Sequence, residues 1–367
     1  MTRLEEVQAK LVGLREWMSV QGLGTVVLNK RANFTWLTAG GDFHVVSASE
    51  EGVGRVVVTA TGQWVLTSNI EAGRLADEEL AGLPWEVLAD NWHDRDDAAA
   101  LAKLAVGAVA TDTSWPEGAR NVADGVSRLQ WALLPPEQER YREAGRVCNH
   151  CLAAACRELE PGMTEYQIAA LLSGKILSAG LEPIVVLVAT DERIRKYRHP
   201  IPTGKRLDKH AELVLGGRYK GLVTSATRLV YFGDLPAELV DKHRAACTVD
   251  ACFNLETQPG AAVKDIFRQA VETYAATGYA DEWRLHHQGG GTGYGPRTYI
   301  AGPECPEVVL EGQAFAWNPS ITGTKSEDTI LAQAGGPEWL SAPTCGWPLV
   351  EVEWKGQKVL RPDVLVR

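Results

Sequence analysis

The sequence predicts an α/β domain followed by a larger α+β domain, built from two repeated halves whose helices cover a curved antiparallel sheet. Three observations lead there. Short β-type runs alternate with helical apolar spacing over the first third of the chain. A double proline at Leu134-Pro135-Pro136 punctuates the chain before a long helical segment, which places the domains at 1–134 and 137–367. Beyond it, two Pro-Gly dipeptides each open a helix of the same length. At 367 residues, the chain can give each part its own core.

The first domain opens with a helix over 3–20, where Leu4, Val7, Leu11, Leu14 and Met18 recur at helical spacing. β-rich runs follow at 24–29, 55–60, 64–69 and 85–90, and an alanine-rich helix over 96–105 precedes a last run at 109–112. In the second domain, long helices over 137–159 and 236–257 each lead into one repeat. The repeats read PGMTEYQIAALLSGKILSAG and PGAAVKDIFRQAVETYAATG, with Ile168 and Ile266 at matching core-facing positions. Gly180 and Gly278, each eighteen residues after the glycine of its Pro-Gly, suit the left-handed position that ends a helix. Thr164 and Gln167 have capping-box spacing at the start of the first repeated helix. β-rich segments follow at 183–190, 211–217 and 221–233 in the first half, and at 313–319 and 327–334 in the second. Two such halves pack about a pseudo-twofold axis, with a cleft between them.

Composition removes several function classes. The formal charge of −10 argues against a nucleic-acid partner, and 45% hydrophobic with 23% charged residues is ordinary for a globular protein. No apolar run approaches the length of a membrane span, and the charged N-terminal helix lacks the apolar stretch of a signal peptide, so a cytoplasmic address is expected. Seven scattered cysteines read as reduced, buried thiols. Cys148 and Cys151 form a CxxC, but His150 is the one further zinc ligand nearby, so helix packing explains the pair better. His44 and His93 read as surface or loop residues, and the twelve tryptophans as core and interface, with Trp36, Trp283 and Trp317 near the expected cleft.

Several short motifs add to the repeat: ANFTWLTAG (32–40), Ser225-Ala226-Thr227-Arg228, Gly289 to Gly293, Asn318-Pro319-Ser320, and Lys325-Ser326-Glu327-Asp328-Thr329. Together they resemble the creatinase, Xaa-Pro aminopeptidase and prolidase family over nearly the whole chain. The resemblance implies a creatinase-type N-terminal domain, a pita-bread second domain and a homodimer. It also implies where two divalent metals would be held: two Asp eleven residues apart, the His of a Gly-His-Gly motif, the Glu of Glu-Pro-Gly and the Glu of x-Glu-Asp-Thr. In this chain those places carry Val214, Ser225, Gly290, Asn318 and Glu327. Gly216 is an alternative for the first, and His287 is a competing register for the third. The Gly290 register also sets Arg297 at a downstream His of the family.

Four of the five ligands are thus replaced, and one carboxylate with an amide and a hydroxyl leaves two cations uncompensated. No metal or other cofactor is expected there. The resemblance makes His199 a substrate-contacting histidine, and with Glu327 it forms the candidate catalytic pair. His286, His287, Gln288, Asn318, Lys325 and Arg228 are candidate pocket residues, though Arg228 and Lys325 also suit pairing with Glu327 and Asp328. Two readings follow: a non-catalytic descendant binding a small molecule or short peptide, or a metal-independent C–N hydrolase acting on an amide, guanidino or dipeptide-like substrate.

Overall fold

A computed structural model describes residues 1–343 and 346–367; Cys345 lies outside the described residues. The chain divides into two compact units, Met1–Gln130 with Leu134–Glu137, and Trp131–Leu133 with Gln138–Arg367.

In the first unit, helix α1 (Arg3–Val20) starts at Thr2, whose hydroxyl accepts the Glu5 amide while the Glu5 carboxylate accepts the Thr2 amide. Val7, Leu11, Leu14 and Met18 are buried, while Leu4 stays exposed at the helix start. There follow β1 (Thr25–Lys30), α2 (Arg31–Leu37), β2 (Glu51–Thr59), β3 (Gln63–Ser68), α3 (Asn69–Arg74), β4 (Glu86–Asp90), α4 (Asp97–Leu104), β5 (Val109–Thr111), β6 (Arg120–Asn121) and α5 (Ala123–Arg128). The strands form one mixed sheet in the order β4-β3-β2-β1-β5-β6. Trp36, on α2, is buried here.

The second unit holds most of α6 (Pro135–Arg157), whose leading prolines lack amides where no intrahelical bond is available. Its first half continues with α7 (Glu165–Ser178), β7 (Glu182–Thr190), α8 (Glu192–Lys196), β8 (His210–Tyr219) and β9 (Leu222–Tyr231). The second half repeats the plan with α9 (Ala237–Glu256), α10 (Val263–Ala276), β10 (Gly289–Thr292), β11 (Ala314–Trp317), a small hairpin of β12 (Ser320–Ile321) and β13 (Thr324–Lys325), then β14 (Asp328–Leu331) and β15 (Glu338–Trp339). The Thr164–Gln167 capping box is formed, and Gly180 and Gly278 have φ of +78° and +89°. Ile168 and Ile266 are buried in matching cores, one under each half-sheet.

An unanticipated hairpin, β16 (Leu349–Trp354) and β17 (Gln357–Pro362), turns at Lys355-Gly356, where both residues have positive φ, as a two-residue primed turn requires. The final strand β18 (Leu365–Val366) runs parallel to β9. The half-sheets β18-β9-β8-β7 and β10-β11-β14-β15 meet edge to edge. There the Thr227 amide donates to the Glu327 carbonyl at 3.1 Å, and Thr329 Oγ1 bridges the Ser225 amide and carbonyl at 2.8 and 2.9 Å.

Strand alternation then sorts the side chains. Leu213, Leu215, Ala226 and Val230 pack against Leu152 of α6 and Ile168 and Leu172 of α7. Glu212 and Val214 point to the other face, opposite their register partners Leu229 and Thr227. In the second half, Trp317 of β11 stacks on Phe253 of α9 and on Phe315 of its own strand. The six described cysteines are free and buried. Among the described residues, no helix is long and apolar enough to cross a membrane.

Candidate functional site

The open face of the joined half-sheets of the second unit carries the residues of interest. Glu327 lies where the small hairpin runs into β14, and its carboxylate is buried. Its Oε2 accepts the Thr227 hydroxyl at 2.6 Å and pairs with Lys325 Nζ at 2.8 Å, while Arg297 Nη2 stands 3.6 Å from Oε1. Burial by itself would raise this carboxyl, but Lys325, Arg297 and the Thr227 bond together hold it below the usual range.

Three imidazoles stand beside this group. His199 reaches in from the segment between α8 and β8, and its Nε2 lies 3.0 Å from His286 Nε2. The His286 ring stacks on His287 with centroids 4.4 Å apart, and His287 is 5.6 Å from His199. One ring nitrogen from each of the three lies within 4.8 Å of the others, the spacing of a candidate metal-holding group. Burial, followed by the Lys325 cation, holds His199 and His286 below the ordinary imidazole value. Burial, then Arg297, pushes His287 down to about 4. His199 and Glu327 therefore share one neighbourhood, where Glu327 opposes the lowering of His199, although no hydrogen bond joins them.

Glu212 is the residue that the motifs did not single out. It lines a narrow recess of about 10 Å³ together with Tyr197, Arg198, His286, Ser320 and Lys325. Burial raises its carboxyl to about 7, against the lowering effect of Lys325 and Arg198. The signal was available: one acid interrupts the apolar run AELVLGG, two residues before Val214 and therefore on the same face of the strand.

Other candidates separate. Asn318 is buried in the turn after β11, and its Oδ1, like the Ser320 hydroxyl, finds no hydrogen-bond partner among the described residues. Gln288 is not a pocket residue: its amide is consumed by the Tyr274 hydroxyl at 2.8 Å and by the carbonyls of Trp283 and His286. Arg228 is also corrected. It points to the helix-covered side, as its even position in β9 dictates, and binds Asp328, Asn149 and the Ser341 carbonyl. Trp317 is a core residue whose indole donates to Thr257, and Trp283 packs edge-on against Phe267.

Val214 and Ser225 lie on paired strands, at the register positions Val214–Thr227 and Gly216–Ser225. Gly290 has φ of +151°, and a Cβ there would collide with the Tyr299 carbonyl and approach the Ala301 amide to 2.9 Å. The neighbouring segment is fixed by backbone bonds from Ala301 to Gly289 and from Thr298 to Gly291, both 2.9 Å.

Comparison with known proteins agrees with this architecture. An uncharacterised peptidase of Staphylococcus haemolyticus is 23% identical over 214 residues, 56% of this chain and 61% of that protein, so the chain spans less than two thirds of this relative. A probable dipeptidase PepE of Mycobacterium tuberculosis is 23% identical over 81% of this chain and 84% of its own length. Among solved structures, the Xaa-Pro dipeptidase from Bacillus anthracis superposes with a TM-score of 0.78 at 16% identity, covering 98% of this chain and 100% of that one. The N-terminal domain of FACT complex subunit SPT16 from chickpea gives 0.72 at 14% identity, over 93% and 97% of the two chains. These likenesses give the second unit the pita-bread fold of the prolidases. Residues 139–335, more than half of the chain, match the profile of metallopeptidase family M24, and the protein belongs to that family.

Proposed function

We propose that this family member binds a small polar molecule or short peptide in the cleft of its second unit without running dimetal peptide hydrolysis. The observation that carries the reading is the state of Glu327. The one carboxylate left at the family's ligand positions is already neutralised by an ammonium at 2.8 Å, with a guanidinium at 3.6 Å. Protein cations stand where metal charge would be needed. A valine, a serine hydroxyl, a glycine and an amide complete a donor set that does not fit two hard divalent ions. Gly290 supports the same conclusion, because restoring a side chain there would displace the Tyr299–Ala301 backbone.

The cleft nevertheless retains recognition chemistry. Lys325 and Arg297 share a single ionised carboxylate, which leaves positive charge for an anionic group such as a peptide carboxylate. Ser320 lines the same recess as Lys325. The test pairs turnover with binding. Purified protein supplied with Mn²⁺, Co²⁺ or Zn²⁺ is expected to leave Xaa-Pro dipeptides intact. A thermal-shift screen of dipeptides, amides and guanidino acids is expected to give at least one stabilising ligand. Metal-dependent dipeptide cleavage that disappears in Glu327→Gln would overturn the proposal.

A second reading, metal-independent C–N hydrolysis, draws on the raised carboxyl of Glu212 near the His199–His286 pair, an arrangement suited to acid–base work near neutral pH. Turnover of any screening hit in the presence of EDTA, lost in His199→Ala, would favour it.

A further inference from the structure

We propose that His199, His286 and His287 form a binding site for one transition-metal ion of the zinc, nickel, copper or cobalt type, distinct from the family's carboxylate positions. The inference concerns residues outside the five assigned ligand positions, His287 entering that comparison only as the competing register for Gly290, and it stands whether or not the cleft turns over a substrate.

The geometry is close to what such an ion needs. Three nitrogens about 2.0–2.1 Å from a tetrahedral metal stand roughly 3.4 Å from one another. Here the ligand atoms all lie within 4.8 Å of each other, and the two Nε2 atoms of His199 and His286 are 3.0 Å apart. His199 is exposed at the rim, so its ring adjusts at little cost. The two ring nitrogens that face each other share one proton when both imidazoles are neutral; for both to bind one metal ion that proton moves to Nδ1 of its own ring, so each ligand stays a neutral imidazole. His286 is held in place from behind by its backbone, since its carbonyl accepts the Gln288 amide at 2.6 Å, and by stacking on His287. His287 Nδ1 accepts the Gly289 amide at 3.3 Å. Ligation through its Nε2 puts the ring proton on Nδ1 and gives up only this long bond.

An all-nitrogen, neutral donor set selects late first-row divalent ions over magnesium, calcium or manganese, which prefer oxygen. The charge environment limits affinity without forbidding binding. Lys325, Arg297 and Arg198 repel a cation, while Glu212 lines the same recess as His286 and offers a carboxyl oxygen.

The experiment uses untagged full-length protein, stripped with EDTA and dialysed. Calorimetric titration with Zn²⁺, and visible absorption with Co²⁺, should each report one equivalent per chain with a four- or five-coordinate Co²⁺ spectrum. Zn²⁺ should raise the melting temperature. His286→Ala and His199→Ala should each weaken binding at least about tenfold, as loss of one of three ligands requires. His199→Ala, at an exposed position, keeps the test valid if His286→Ala misfolds. Glu327→Gln should leave the single equivalent in place. Absence of binding in the wild-type protein, or one equivalent that survives His199→Ala unchanged, would overturn this site. Two equivalents lost together in Glu327→Gln would instead overturn the ligand-binding function proposed above, so the two failures are distinguishable.

Discussion

Glu327 and Asp328 are neighbours in the chain, yet they belong to two different electrostatic worlds. Asp328 accepts from Arg228 Nη2 at 2.9 Å and the Ser341 hydroxyl at 2.7 Å through Oδ1, and from Arg361 Nη2 at 2.6 Å through Oδ2. Arg361 also donates to Asp250 at 2.7 Å, and Asp250 accepts the Ser326 hydroxyl at 2.6 Å and the Asn254 amide at 2.8 Å. Two guanidiniums face two carboxylates, with every charge buried and paired. On the other face, Glu327 pairs with Lys325 at 2.8 Å and lies 3.6 Å from Arg297, beside three imidazoles held below their ordinary value. The first network is paired charge for charge, whereas on the second face two cations meet the one carboxylate of Glu327. The difference separates an acid locked into a structural network from one that faces the candidate site.

The largest effect should come from breaking the closed network. Asp328→Ala strands Arg228 and Arg361 in a buried site and should cost about 3–5 kcal/mol in urea-induced unfolding. A loss below about 1 kcal/mol would mean that the two sides do not differ as described.

The open side should respond to pH through Glu212. Folding raises the Glu212 carboxyl from 4.5 to about 7, so between those values the folded protein keeps a proton that the unfolded chain has released. Its contribution to stability is present at pH 4 and is lost as pH rises through 7. Glu212→Gln removes that penalty. It should therefore stabilise the protein by about 3 kcal/mol at pH 8 and by almost nothing at pH 4. Melting temperatures across that range check the slope, and an equal shift at both ends would refute the assignment.

The smallest effect calibrates the other two. Thr164→Ala removes the capping box of α7, remote from both networks, and should cost about 1 kcal/mol at every pH. A pH-dependent loss there would show that the Glu212 measurement reports global charge rather than one buried group.

Much of this was legible in the sequence. The capping box at Thr164, the terminal glycines Gly180 and Gly278 and the matching Ile168 and Ile266 follow from local rules, and the structure honours them. The positions of Arg228 and Glu212 were readable in principle, since strands over 211–217 and 221–233 were expected and period-2 alternation assigns each residue a face. The hairpin at 349–362 shows the same alternation around Lys355-Gly356. Its signal is weaker because charged residues fill its exposed face.

By itself, then, the sequence determined the two-part architecture, the repeat and the resemblance to the family. These depend on spacing, capping and turn chemistry among residues close in the chain. Tertiary structure alone decided that His199 meets His286 across 87 positions, that Gln288 is spent on Tyr274, and that the Tyr299 carbonyl fills the place of a side chain on Gly290. Contacts of that kind are set by how distant strands and loops pack, and no local pattern encodes which of many equally polar residues will face one another.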